Sequence, residues 1–324
     1  MSRQDLRLPR FIVLLAACLL LPVLALAAAC GGDDDDDEGS PTDAATTAPG
    51  GSPSDTGGAF EEQPFAVNNE FWHAGFHVTL GDGLYFAEQD EFTEELTYFV
   101  SIEVTFENLG PDQTTFPSDL VLTGSGGNAT PGADSEFPSV PAGLSSDGTL
   151  VFVVDETFEA DSAELVAGTG DETQAHVPLG AEGTLVTLEP TAPAVSGSLT
   201  MELIDLTFTS AELRADVPVN YTEVEDGKLA LTINFDATSR NSGNWSVNAT
   251  DFALILPGGS AAGADGAELG SLPGSEAGID TPDLYVRFLV DDPPAGDYTL
   301  RLTPGSWFIG DDGVTEATFD FSLE

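Results

Sequence analysis

Apolar and polar residues alternate over short segments throughout the chain after residue 65. The clearest segment is 98–106, YFVSIEVTF, in which every second residue is aromatic or β-branched. A period of two places these side chains on one face, which predicts a half-buried β-strand. Asp-Gly pairs, which favour tight turns, punctuate the pattern at residues 82, 147, 226, 265 and 312. We find no amphipathic helix of useful length, so the pattern predicts an all-β protein.

The alternating part of the chain repeats itself. Three segments recur in the same order 132 to 136 residues later: 95–110 as 227–243, 118–127 as 250–259, and 148–156 as 284–292. The matches pair Asn108 with Asn241 and Asp119 with Asp251. Roughly seven or eight strands per copy, with frequent turns, are typical of a β-sandwich. The repeat therefore predicts two tandem antiparallel sandwiches, at residues 63–190 and 191–324.

The first 29 residues follow a different pattern. A short stretch with three arginines precedes a long apolar run, which ends in three alanines and Cys30. That order is typical of a secretory signal, and its end resembles the signal of bacterial lipoproteins. The resemblance implies that residues 1–29 are removed and that a lipid on Cys30 anchors the protein to the membrane. An uncleaved membrane helix and ordinary secretion are the alternatives, and Cys18 is a less well placed second cysteine.

Residues 30–62 differ from both neighbouring regions. Gly, Ser, Thr, Pro and Asp dominate them, and apolar side chains are almost absent. This composition predicts a disordered acidic tether, whose flexible chain spans on the order of 30 Å. We expect the tether to hold the folded part of the protein away from the membrane.

The long strand of each predicted copy ends in Asn-x-Gly, at Asn108-Leu109-Gly110 and again 133 residues later. This motif and the order of the strands resemble the immunoglobulin-like domains of unknown function found in many bacterial lipoproteins. The resemblance covers residues of about 70–190 and 198–324, and it implies an immunoglobulin-like sandwich for each copy. It implies no activity, because those families mostly lack an assigned one.

The charge of the chain is strongly unbalanced, with 8 basic and 56 acidic residues and a net charge of −48. Without residues 1–29, 5 basic and 55 acidic residues remain, and no Lys or Arg lies between residues 11 and 213. Such a surface repels nucleic acid and anionic lipid headgroups, and it attracts divalent cations or basic molecules. Solubility, or tolerance of high salt, without a specific partner is the explanation that we favour. We expect no nucleic-acid partner and allow for a cationic or cell-envelope partner.

Groups suited to catalysis are scarce. The chain has three histidines, His73, His77 and His176, and its two cysteines both lie in the N-terminal segment. The folded part therefore has no cysteine nucleophile, and no G-x-S-x-G sequence lies near a histidine. His73 and His77 stand four apart, which in a strand places them on the same side but about 13 Å from each other. We predict that the protein is not an enzyme and has no catalytic residue.

Calcium is the ion that the acidic groups fit best. Asp311, Asp312 and Glu316 cluster in GDDGVTEA, and hard cations prefer several carboxylate oxygens. The spacing is not that of an EF-hand loop, so we favour solvated acidic turns and expect no cofactor, with Ca²⁺ bound by these residues as the alternative. We expect the three tryptophans to pack in a core or at an edge, and a carbohydrate platform is the alternative: Trp72, Trp245 and Trp307.

Taken together, these features predict a lipid-anchored extracytoplasmic protein that binds or presents a ligand at the cell envelope. A structural spacer with no specific ligand is the first alternative, and a carboxylate–metal hydrolase is the second. The membrane, through the lipid on Cys30, is the partner that the sequence indicates. Neither the ligand nor the oligomeric state follows from these patterns.

Overall fold

The computed structural model describes residues 60–324 except 125, 182, 245, 275–277, 292, 306–308 and 311. The predicted signal peptide, Cys30 and all but the last three residues of the predicted tether lie outside the described residues. The described chain consists of antiparallel β-strands and two 3₁₀ turns, at Ala160–Ser162 and Ala249–Asp251. This confirms the all-β class and its antiparallel sheets, while the immunoglobulin-like type stays a prediction. No helix in the described ranges is long and apolar enough to cross a membrane.

The first half forms two main sheets. Its strands are β1 (Gln63–Ala66), β2 (Glu70–His73), β3 (Phe76–Gln89), β4 (Leu96–Asn108), β5 (Thr114–Thr115), β6 (Leu120–Gly124), β7 (Gly127–Ala129), β8 (Ser139–Val140), β9 (Ser145–Val154), β10 (Glu164–Ala167) and β11 (Ala175–Pro178). One sheet has the order β1-β3-β4-β9, with β2 also paired to β3, and the other has the order β11-β10-β6-β7. Strands β5 and β8 form a separate pair.

The second half also forms two main sheets. Its strands are β12 (Gly197–Met201), β13 (Ile204–Arg214), β14 (Asp216–Val217), β15 (Thr222–Glu223), β16 (Lys228–Ser239), β17 (Phe252–Ile255), β18 (Ala261–Gly263), β19 (Gly266–Glu268), β20 (Ile279–Asp291), β21 (Gly296–Leu302) and β22 (Ala317–Leu323). The sheets have the orders β12-β13-β16-β20-β19 and β18-β17-β21-β22, and β14 pairs with β15. Each half thus contains three neighbouring antiparallel strands, β3-β4-β9 in the first and β13-β16-β20 in the second, while the duplication stays a prediction.

Each half encloses its own apolar core. The first core draws on side chains between residues 67 and 179, and the second on side chains between residues 195 and 323. On β4 the alternation places every second side chain in the first core, with Val100, Ile102, Val104 and Phe106 buried. That each half folds by itself, with the boundary near residue 190, stays a prediction.

Asn108 ends β4 and is fully buried. Its Nδ2 donates to the carbonyls of Asp112 and Val140, at 2.7 and 2.9 Å, and its Oδ1 accepts from Gly110 N at 2.8 Å. One amide side chain therefore satisfies three buried or partly buried backbone groups of the loop that follows the strand. The Asn-x-Gly motif has this structural role in the first half.

Two of the five predicted Asp-Gly turns lie inside strands instead. Asp82-Gly83 falls within β3, at a point where the register with β4 shifts. A Cβ at Gly83 would come within 2.3 Å of the ring of Phe65, so the pair forms a bulge that accommodates this ring. Asp147-Gly148 lies within β9 and pairs with β4. Dipeptide composition alone did not distinguish a bulge from a turn.

Candidate functional site

The two halves of the described chain are in contact at a hairpin that projects from the second half. Strand β13 ends at Arg214, and the chain then forms β14 and β15 within a segment that we name the junction hairpin (residues 214–225). Its Val224 carbonyl accepts a hydrogen bond of 3.0 Å from Thr173 N in the first half. Toward its own half, the hairpin buries a small apolar cluster: Val217 and Val224 with Ala230. Contacts with both halves thus hold the hairpin in place.

A histidine of the first half lies between carboxylates of both halves. His73 is only 1% exposed. Its Nε2 is 3.3 Å from Asp119 Oδ2 in the first half, and its Nδ1 is 3.0 Å from Glu223 Oε1 on the junction hairpin. Burial lowers the pKa of His73, but the two carboxylates outweigh burial and raise the pKa to about 9. His73 is therefore a buried cation at neutral pH.

The carboxylates around His73 respond in opposite directions. Burial raises the pKa of Glu223, although His73 and the Ala74 N–H stabilise its charge. The hydrogen bond with His73 lowers the pKa of Asp119, which is more exposed. Asp119 is thus the more readily ionised of the two carboxylates, whereas burial opposes the charge of Glu223.

The turn between β2 and β3 rests on the junction hairpin. Ala74 N donates to Glu223 Oε1, and Gly75 N donates to Asp216 Oδ2 at 2.6 Å. Gly75 has φ +81°, and a Cβ there would lie 3.0 Å from the Pro218 Cα. The close approach and the left-handed backbone both favour glycine. Two backbone amides of the first half are therefore held by two buried carboxylates of the second.

Arg214 and Asp216 form a buried ion pair within the hairpin. Arg214 Nε donates to Asp216 Oδ1 at 2.6 Å, and its Nη2 donates to Asp216 Oδ2 at 3.2 Å. Glu212 accepts a third hydrogen bond, of 2.8 Å, from Nη1. A two-pronged pair of this kind fixes direction as well as distance. Because Asp216 also accepts from Gly75 N, the pair aligns the hairpin with the first half.

Tyr221 makes a further contact between the halves. We name these contacts together the joint: His73 with Asp119 and Glu223, Ala74 and Gly75 with Glu223 and Asp216, and Tyr221 with Asp112. Its hydroxyl donates to the Asp112 carbonyl and accepts from Asp112 N at 2.8 Å. A Cβ at Gly110 would lie 2.4 Å from the Tyr221 ring. The glycine that Asn108 positions is therefore required for the ring of the other half to approach the loop.

A groove of about 480 Å³ opens beside the junction hairpin. One rim is the loop 109–111 of the first half, and the other is the apolar segment 217–219 of the hairpin. The floor is the outer face of the second half, where Thr232 of β16 pairs with Glu212 on one side and with Arg287 on the other. Acceptors and donors of hydrogen bonds thus stand side by side between apolar walls.

The two cations of the groove floor are each paired with carboxylates. Arg287 is buried, and its Nε and Nη2 donate to Asp265 Oδ2 at 3.2 and 2.9 Å. Its Nη1 makes no hydrogen bond within the described residues. The guanidinium groups of Arg214 and Arg287 face three carboxylates, those of Glu212, Asp216 and Asp265. The floor therefore carries no excess of positive charge, although Arg287 Nη1 could donate to a ligand.

The predicted calcium ligands have other partners where the structure describes them. Asp311 lies outside the described residues. Asp312 N donates to Glu202 Oε2, and the Asp312 carboxylate accepts from the backbone N–H two residues later, each at 2.9 Å. Glu316 Oε2 lies 3.8 Å from Arg301 Nε. Within the described residues, no group of three or more His, Cys, Asp or Glu could hold a metal ion.

The two neighbouring histidines lie on opposite faces, which corrects the expectation of a shared side. The chain reverses between β2 and β3, so His77 pairs with Trp72 while His73 forms the next pair toward the turn. The rings of Trp72 and His77 stack with centroids 4.6 Å apart, and His73 enters the joint. Trp245 and Trp307 lie outside the described residues.

Sequence reasoning missed the residues of the joint. Arg214, Asp216 and Glu223 come from one short segment, whereas His73 and Asp119 lie far earlier in the chain. One signal was present, because Arg214 is the first Lys or Arg after residue 10. A cation that is isolated in an acidic chain and followed closely by Asp is a candidate for a buried pair.

The stability of the joint should depend on pH through His73. The folded-state pKa of about 9 exceeds the ordinary value of 6.5. The contribution of His73, roughly 3 kcal/mol, is therefore fully present below about pH 6.5 and is lost as the pH rises toward 9. Urea unfolding at several pH values should show this decline.

A His73→Gln variant should lose the decline in stability between pH 6.5 and 9. The matched control is His77→Gln, on the outer face of the same hairpin, which should keep the wild-type profile. A wild-type unfolding free energy that does not change across this pH range would contradict the prediction that His73 is a buried cation.

Comparisons with known proteins leave the family of this chain unassigned. No family model matches it, and neither does any curated protein. A solved "conserved hypothetical protein" from Bacillus anthracis is 15% identical with a TM-score of 0.27, over 36% of this chain and 98% of that one. A "conserved domain protein" from Bacillus anthracis is 9% identical with a TM-score of 0.22, over 80% and 90%. Similarities this low support no argument about the fold or the function.

Proposed function

We propose that the protein is an extracytoplasmic lipoprotein that binds a neutral sugar in the groove beside the junction hairpin. The location rests on the predicted signal at residues 1–29 and lipidation of Cys30. The observation that carries the binding function is the groove of about 480 Å³, to which both halves contribute. Small-molecule sites have this size, lie preferentially at domain interfaces, and combine apolar walls with a few polar groups.

The rigidity of the joint favours a preformed groove. The rims belong to different halves, and the buried pairs made by His73, Glu223 and Asp216 fix these halves against each other. Tyr221 fastens the loop that forms the first rim. A site that is already ordered before binding avoids the entropic cost of ordering it.

The chemistry of the floor favours a neutral ligand with hydroxyl groups. An anion would be repelled by the field of a strongly acidic protein, and the guanidinium groups of Arg214 and Arg287 already pair with carboxylates of the protein. A sugar hydroxyl both donates and accepts, which suits Glu212 and Thr232 beside Arg287 Nη1, for which the described residues supply no hydrogen-bond acceptor. The ring of Tyr285, which also lines the groove, offers an apolar face to the C–H side of a sugar.

Calorimetric titration of the full-length protein in detergent tests this proposal. The probes are the methyl glycosides of glucose, galactose, mannose and N-acetylglucosamine, with glucuronate and glucosamine as charged counterparts. We expect at least one neutral glycoside to bind, and Thr232→Leu to weaken it about tenfold or more by removing a hydroxyl from the floor.

The matched control is Asn234→Leu, two residues along the same strand and outside the groove, which should bind like the wild type. Preference for a charged probe would contradict the ligand class but leave a binding function. Failure of every probe to bind would favour the competing function, a structural spacer without a ligand.

A further inference from the structure

The first half carries an apolar surface outside its core. Leu84, Phe86, Phe99, Val151 and Val153 lie on the outer face of the sheet β1-β3-β4-β9, and we name them the apolar patch. Phe86, Phe99 and Val153 form one cross-strand row, and the two phenylalanine rings lie 5.4 Å apart. Val153 is 53% exposed. No member of the patch belongs to the apolar cores of the described chain.

A phenylalanine at the tip of the same strands extends this surface. Phe92 lies in the loop between β3 and β4 and is 93% exposed. The Asp90 carboxylate accepts hydrogen bonds of 2.8 Å from Phe92 N and Thr93 N, and Asp90 N donates to the Glu95 carbonyl at 3.0 Å. The loop that carries the exposed ring therefore has a defined shape.

The fold itself does not require an apolar surface here. The second half has the same central strand order, and a row on its corresponding outer face consists of Glu212, Thr232 and Arg287. Isolated exposed apolar residues are ordinary, but a continuous patch rimmed by polar residues marks an interaction site. The patch is thus specific to the first half.

At the end of β3 and β4 where Phe92 lies, the rim of this surface has one sign of charge. It consists of exposed acidic residues: Glu88, Asp90, Glu91, Glu94 and Glu95. No Lys or Arg lies between residues 11 and 213, so the first half has no such cation to balance them. The rim would repel a second copy of this acidic chain and an anionic lipid surface. It would attract a surface in which lysines or arginines surround an apolar pocket.

We propose that Phe92 and the apolar patch form a docking surface for a partner protein whose apolar pocket is rimmed by Lys or Arg. Phe92 enters the pocket as the aromatic anchor, and the patch covers the adjoining apolar area. The acidic rim pairs with the basic residues of the partner and speeds the encounter. This surface lies on the first half and is separate from the groove floor on the second.

Site-specific photo-crosslinking in the envelope of the protein's own cells tests this docking surface. Full-length chains carry p-benzoylphenylalanine in place of Phe92, or in place of Val314 as a matched control, since Val314 is an exposed apolar residue of the second half. We expect one discrete protein adduct from position 92 and none of that size from position 314.

The captured protein, once purified, is then titrated with the wild-type chain. We expect Phe92→Ser to weaken binding about thirtyfold, as for a central aromatic anchor, and added NaCl to weaken wild-type binding as well. Phe92 is almost fully exposed, so the variant should fold normally. The absence of an adduct, an adduct between two copies of the chain, or binding that ignores both Phe92→Ser and salt would each overturn the proposal.

Discussion

Replacing Asp216 by alanine is expected to lower the free energy of unfolding by about 3–5 kcal/mol. The change leaves the buried guanidinium of Arg214 without its two-pronged partner and removes the acceptor of Gly75 N. A buried charge that loses its partner keeps its desolvation cost without the compensating attraction. Urea unfolding followed by circular dichroism at pH 7 measures the loss.

Two further variants distinguish the effect of breaking the buried ion pair from the general effect of losing an acidic residue. Asp297→Ala, on an exposed position of β21, should change the unfolding free energy by no more than about 0.5 kcal/mol. The double variant Arg214→Met with Asp216→Leu should recover much of the loss, because no unpaired charge remains. An Asp216→Ala protein as stable as the Asp297→Ala control would contradict the structural role of the pair.

Replacing Asn108 by alanine is the second change with a large expected effect, about 2–4 kcal/mol of unfolding free energy. The side chain is fully buried and bonds the carbonyls of Asp112 and Val140 and the N–H of Gly110. Each buried group that loses its partner costs about 1–3 kcal/mol. Thermal and urea unfolding both measure the effect.

The control for Asn108 is Asn128→Ala, on an exposed position of β7, which should be close to neutral. The Asn108→Ala variant should also make the Tyr221 ring more mobile in NMR spectra, because Asn108 shapes the loop that this ring covers. A variant with wild-type stability and an unchanged Tyr221 signal would show that the loop holds its shape without the amide.

The sheets could be predicted from local pattern because each strand buries one face. On β4 the alternating residues from Val100 to Phe106 lie in the core, as a period of two requires. The repeated order of segments rests on the same alternation, and the duplication that it indicates stays a prediction. The bulge at Asp82-Gly83 could not be predicted from local pattern, because it depends on where the ring of Phe65 packs.

The joint and its groove could not be predicted in the same way. His73 meets Glu223 from 150 positions away, and nothing in the residues around either one encodes that contact. Local spacing predicted that His73 and His77 lie on the same side of a strand. The chain reverses at Ala74-Gly75, however, so the two side chains lie on opposite faces. Burial of a charge depends on which elements pack together, so charged sites at interfaces are poorly visible in a single sequence.

The buried ions of the joint and the charges on the surface respond differently to dissolved salt. On the acidic exterior, repulsion between carboxylates reaches about 8 Å into physiological saline and contracts as salt is added. Dissolved ions screen buried pairs much less, so His73 and Arg214 act as counterions built into the protein. Added salt therefore weakens the repulsion between surface carboxylates without weakening the contact between the halves. A chain of this composition can therefore keep the same relative placement of its two halves in concentrated salt and in dilute buffer.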